Sequence, residues 1–233
     1  VSDAHVYGAD VLSIVANDEG NYGMGGMLLG SGSVSIDVLP VNDAPVVVLG
    51  SPSVTVHEDV AWPLGGGQVR VSDVDVSDGS DEIEVRLSAS RGVLLYGSAG
   101  VSAGGNGSRS VWFRGDRSGV FAALDSVLYV SDEHVYGNDS VVVEVSDLGN
   151  FGFGGVLNGS AVFGVVVLPV NDGPRVVLGA QNVSVYEDVV SVLGSGLVRV
   201  SDVDVADGTN RVSVRLNVTR GVLVCPSGPA SCS

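Results

Sequence analysis

Apolar and polar positions alternate along much of the chain with a period of two. Ile83, Val85 and Leu87 alternate with Glu82, Glu84, Arg86 and Ser88, and Val54 and Val56 alternate with Ser53 and Thr55. Successive side chains on a strand point to opposite faces, so this pattern predicts strands with one buried face. Further strands are predicted near 45–49, 69–72, 92–96, 109–114, 126–131, 139–146 and 161–169. Turn chemistry separates them at Ser77-Asp78-Gly79, across 97–107 and across 149–155. The segment 118–128 predicts one short helical turn, and nothing else reads as helix. Seven or more short strands with regular turn signals predict an all-β fold, a β-sandwich of the immunoglobulin-like kind.

The pattern also recurs as a whole. Ser2-Asp3-Ala4-His5-Val6-Tyr7-Gly8 returns as Ser131-Asp132-Glu133-His134-Val135-Tyr136-Gly137. Leu39-Pro40-Val41-Asn42-Asp43-Ala44-Pro45 returns as Leu168-Pro169-Val170-Asn171-Asp172-Gly173-Pro174, and Val71-Ser72-Asp73-Val74-Asp75-Val76 returns as Val200-Ser201-Asp202-Val203-Asp204-Val205. Every offset is 129 residues, without insertion or deletion, and about half of the paired positions are identical. A solenoid would need a shorter period. The period predicts a tandem array of sandwiches, jointed at the Asn-Asp-(Ala/Gly)-Pro turns. Residues 44–172 make one complete repeat, 1–43 the end of a preceding one, and 173–233 the start of a following one. Both ends fall inside repeats, so the parent chain is expected to be longer at each end.

Composition agrees with strands: 45% of residues are apolar, dominated by Val, and Gly and Ser supply turns. Charge narrows the function. The chain carries 27 acids against 11 bases, all Arg, for a formal charge of −16. That balance argues against nucleic acid and against an anionic membrane surface. No apolar run reaches the roughly 18–20 residues of a membrane-spanning helix. What remains is general solubility or a demand for hard cations.

The acids are clustered. Glu58-Asp59 recurs as Glu187-Asp188, Asp73-Val74-Asp75 as Asp202-Val203-Asp204, Asp18 before Gly20 as Asp147 before Gly149, and Asn42-Asp43 as Asn171-Asp172. Two Asp residues two apart on a strand share a face and repel, and a cation would relieve them. Ca2+ takes 6–8 oxygens at about 2.3–2.6 Å from such residue types, whereas zinc prefers His and Cys. The alternative is that the same side chains cap turns by bonding to the backbone.

In this order the motifs resemble those of cadherin domains: Glu58 near the start, Asp73-Val74-Asp75, Asp147 before a Gly-rich turn, and Val41-Asn42-Asp43-Ala44-Pro45 at the joint. The chain resembles most the cadherin-like repeats of giant bacterial and protist surface proteins. The resemblance implies Ca2+ at the joints, shared by neighbouring repeats. For the first joint it points to Asp3, Asn42, Asp43, Asp73, Asp75 and Asp147; for the second, to Glu58, Asp132 or Glu133, Asn171, Asp172, Asp202 and Asp204. On a strict count Pro40 and Pro169 replace one acidic ligand, and the cadherin Asp-Arg-Glu motif is absent, with Asp132-Glu133 or Asp3-Ala4 in its place. At most one ion per joint is therefore expected.

Other features carry less. Cys225 and Cys232 enclose a Pro- and Gly-containing loop, which favours a local disulfide in an oxidising compartment over pairing to another chain or free thiols. Five Asn-x-Ser/Thr sequons occur, at Asn106, Asn138, Asn158, Asn182 and Asn217. Asn182 and Asn217 fall on the polar phase of expected strands and the other three in loops, so all five are expected to be exposed glycan acceptors in a eukaryotic secretory setting. His5 and His134 have no nucleophile elbow or oxyanion loop beside them and read as structural. The Gly-rich stretches 20–32 and 149–159 read as hairpin turns, and Trp62 and Trp112 as core or edge packing. The sequence therefore predicts no enzyme. It predicts an extracellular, cell-surface structural or adhesive spacer, a rod in which each repeat adds roughly 35–45 Å. Its partners are the neighbouring repeats, and other copies if it assembles. The rivals are a subunit of a polymeric surface fibre, such as a protist flagellar hair, and a ligand-binding adhesin module offering loops 97–110 and 149–160.

Overall fold

The computed structural model describes residues 3–21, 23–76, 81–97, 100–149, 151–193, 196–205 and 211–224. The Ser77-Asp78-Gly79 turn, Cys225 and Cys232 lie outside the described residues. The chain forms two units, 1–170 and 171–233.

In the first unit, β1 (Gly8–Asn17) and β2 (Leu29–Val38) form an antiparallel hairpin. The same unit continues with β3 (Val46–Leu49), β4 (Ser53–His57), β5 (Trp62–Pro63), β6 (Val69–Ser72), β7 (Glu82–Ala89), β8 (Val93–Leu95), β9 (Ser102–Gly104), β10 (Ser110–Asp116), α1 (Arg117–Asp125), β11 (Leu128–Val130), β12 (Gly137–Ser146) and β13 (Asn158–Leu168). One sheet has six strands in the order β4-β13-β12-β7-β10-β9; two smaller sheets are β5-β11-β8 and β3-β6. All pairs are antiparallel except β4 with β13, which runs parallel from Ser53 opposite Gly164 to His57 opposite Leu168.

The alternation puts the apolar residues where it predicts. On β7, Ile83, Val85, Leu87 and Ala89 are buried, and Arg86 between them faces out. With Phe113 of β10, Leu94 of β8, Tyr129 of β11, Val141, Val143 and Val145 of β12, and Phe163 and Val165 of β13 they form one core. Burying each such aliphatic or aromatic side chain stabilises the fold by about 1.5–3 kcal/mol. The helix is longer than the single turn expected. Asp116 caps it by accepting the Gly119 N–H at 2.6 Å, and Val120, Ala123 and Leu124 close the core from its inner face.

Two short strands escape the pattern. β9 lies inside the stretch read as a turn, where Gly104 stands opposite Trp112. A Cβ at Gly104 would sit 2.5 Å from the indole Nε1, so only glycine lets the ring lie flat on the strand. β5 puts Trp62 on a sheet edge, opposite Tyr129.

The second unit repeats only part of this. β14 (Arg175–Leu178) pairs with β15 (Val198–Ser201) as β3 pairs with β6. The strands expected at Asn182 and Asn217 do not form: 182–186 and 211–218 have no ladder. Their equivalents β4 and β7 hydrogen-bond to β13, β12 and β10, and no described residue of the second unit supplies counterparts of those strands. An extended segment without neighbours leaves its N–H and C=O groups to water. Among the described residues, no helix is long and apolar enough to cross a membrane.

Candidate metal centre

The joint runs from the end of β2 to the start of β3. It meets the end of β6, which supplies Asp73 and Asp75, and the end of β12, which supplies Asp147. Asn42 donates from Nδ2 to Asp147 Oδ2 at 2.5 Å, across 105 residues of chain. The Asp43 N–H donates to Asp75 Oδ2 at 2.5 Å. Asn42, Asp73 and Asp147 are only 6%, 9% and 2% exposed, so these polar groups have given up most of their water and need other compensation.

Part of that compensation is turn capping. Asp73 Oδ1 accepts the Asp75 N–H at 2.9 Å. Asp147 Oδ1 accepts from Gly149 N at 2.8 Å and Leu157 N at 2.9 Å. Asp18, the counterpart of Asp147, accepts from Gly20 N and Leu28 N in the same way, and those N–H groups hold its carboxyl below the usual range. Capping does not account for Asp73 Oδ2, which is buried without a hydrogen-bond partner. Burial pushes the Asp73 carboxyl above its ordinary value, with Asp75 and Asp147 adding to the push and the N–H groups of Asp75 and Val76 opposing it. A buried acceptor left unsatisfied costs about 1–3 kcal/mol.

These residues fit a hard divalent cation. The donor set is all oxygen, one buried oxygen is unsatisfied, and Asp75 and Asp147 lie close enough to raise the proton affinity of Asp73. Asp43 contributes differently from expectation: its backbone holds Asp75, while its carboxylate lies 2.8 Å from His5 Nδ1. Asp3 sits in the turn before β1, its carbonyl accepting the Val6 N–H at 3.4 Å.

Where β4 and β13 end, Glu58 is 1% exposed; Oε1 accepts the Val170 N–H at 2.9 Å, and Oε2 is a second buried oxygen without a partner. Asp132 turns instead to Arg109, 3.5 Å away. Glu133 is exposed and lies 3.4 Å from His134 Nε2, while His134 donates its backbone N–H to Asp59 Oδ1 at 3.3 Å. In the second unit the first joint's pattern recurs, with Asp172 N donating to Asp204 Oδ2 at 2.5 Å and Asp204 N to Asp202 Oδ1 at 3.0 Å. Asn171 Nδ2 donates to the Asp172 carbonyl at 3.3 Å.

Sequence reasoning missed the role of Asp139. It is buried, and it accepts from Tyr129 OH at 2.6 Å, Arg91 N at 3.0 Å, Ser140 N at 2.6 Å and Ser90 Oγ. The only sequence signal is an acid at a position where the alternation calls for an apolar residue. All five sequon asparagines are exposed, but Asn138 and Asn158 stand on β12 and β13, not in loops; Asn106 occupies a turn, bonded to the Tyr96 backbone.

No family model matches the chain, and no curated protein does. Solved structures that resemble it include protocadherin gamma B2 extracellular cadherin domains 1–5, at 17% identity and a TM-score of 0.41 over 74% of this chain and 27% of that one. The protocadherin gammaB7 EC3–6 cis-dimer structure gives 20% and 0.41 over 85% and 41%. Mouse cadherin-23 EC22–24 gives 22% and 0.34 over 70% and 43%. The chain spans between about a quarter and two-fifths of those chains' lengths. By identity and by TM-score the likeness is distant.

Proposed function

We propose that the chain is a stretch of an extracellular spacer, a rod of cadherin-like repeats jointed at 43/44 and 172/173 and stiffened there by Ca2+. The observation that carries this reading is the buried, unsatisfied Asp73 Oδ2 beside Asp75 and Asp147 where one repeat passes into the next. Asn42, Asp73, Asp75 and Asp147 would hold the ion at the first joint. Asn171, Asp202 and Asp204 are the corresponding residues at the second joint. The ion neutralises carboxylates that otherwise repel, and so holds the linker to the repeat that follows. Outside the cell, the exposed Asn106, Asn138, Asn158, Asn182 and Asn217 are available as glycan acceptors, and Cys225 and Cys232 are suited to a disulfide.

Small-angle scattering of the 233-residue chain in Ca2+ and in EDTA tests the reading. The maximum dimension is expected to shorten and the profile to broaden when the ion is removed. Identical profiles, with identical melting temperatures, contradict it.

A further inference from the structure

We propose that residues 151–155, in the loop closing the β12–β13 hairpin, are a clasp that grips the linker from the preceding repeat without needing a cation. The proposal rests on the tandem-repeat reading above but not on its ion.

The grip is made of backbone. Asn42 N donates to the Phe153 carbonyl at 2.9 Å, and Phe153 N donates to the Pro40 carbonyl at 3.0 Å. Val41 and Phe153 thus form a parallel bridge, a one-rung addition of the linker to the loop. Asn42 Nδ2 also donates to the Gly155 carbonyl at 2.7 Å. Phe151 stacks edge-on against Tyr7, with centroids 5.4 Å apart. Gly152 makes the approach possible: its φ is +69°, and a Cβ there would stand 2.8 Å from Asn42 N and 2.9 Å from the Val41 carbonyl carbon.

The loop is formed ahead of its contact. Gly20, Gly23, Gly25 and Gly26 are the counterparts of Gly149, Gly152, Gly154 and Gly155, and all eight hold positive φ. Each loop is tied at its base by the equivalent Asp18 or Asp147. The conformation is therefore written into each repeat, and the linker meets a preset surface. Consistent with this, residues 1–43 belong to the same unit as the repeat that grips them. Residues 171–233 form a unit of their own, and no described residue supplies a counterpart of the loop at that joint.

Amide hydrogen exchange on the 233-residue chain in EDTA tests the clasp. The Asn42 and Phe153 amides should exchange roughly tenfold or more slowly than that of Asn171, the counterpart of Asn42 at the second joint. Gly152→Val should speed both by about the same factor while Val141 and Val143 stay protected. Should that variant also release Val141 and Val143, Phe151→Ala, which removes only the ring against Tyr7, must still speed Asn42. An Asn42 amide as fast as Asn171 in EDTA, or unmoved by these substitutions, overturns the clasp. Protection that arises only on adding Ca2+ also overturns it and leaves the cation reading standing. Protection in EDTA that Ca2+ does not change supports the clasp and counts against the cation.

Discussion

Asp139 and Asp73 are both carboxylates taken out of water, and they are compensated in different ways. Asp139 is met by four donors from Tyr129, Ser90, Arg91 and Ser140, and burial together with that carboxylate pushes the Tyr129 phenol well above its ordinary value. Asp139→Ala strands those donors and should cost about 3 kcal/mol or more in urea unfolding. Its counterpart Asp10 is exposed, and Asp10→Ala should cost under about 0.5 kcal/mol. Asp73 keeps one unsatisfied oxygen and a raised proton affinity. Its folded-state pKa lies above the unfolded value, so the stability it contributes is present below about 3.9 and lost as pH rises through the folded value. At neutral pH in EDTA, Asp73→Asn should therefore raise the melting temperature by a few degrees; in Ca2+ it should melt below the unsubstituted chain. A drop in EDTA would contradict the assignment. The Asp-x-Asp spacing was legible in the sequence. The resemblance also grouped Asp147 with it. That Asp43 would face His5 and that Asp132 would turn to Arg109 was not legible, because those partners are chosen by elements remote along the chain.

At the scale of elements, period-two alternation located the long strands of the complete repeat because each has one buried face. It failed at β5 and β9, too short to carry a period, and at 182–186 and 211–218, where strand-like sequence has no strand beside it. Those segments match β4 and β7 in pattern, so the difference lies in partners and not in propensity. Appending a copy of residues 105–172 in register after Ser233 supplies the partners. The amides of Val212, Val214 and Leu216 should then gain protection comparable to Ile83, Val85 and Leu87, read by hydrogen exchange. Exchange unchanged from the present chain would mean that the repeat equivalence does not extend to strand pairing.

At the scale of the whole molecule, the 129-residue period was the most legible feature of all, since it needs no structural knowledge to detect. It places the acidic clusters at regular intervals along a chain of formal charge −16. A clasp and an ion are separable ways of holding such a joint, and the ion is the one that a titration reads. Its most direct measurement is the melting temperature of the metal-free 233-residue chain as Ca2+ is titrated at neutral pH. A saturable rise is expected, with an apparent Kd on the order of 0.1–1 mM, the range of extracellular sites. A melting temperature that stays flat through about 10 mM, well past that range, would contradict it.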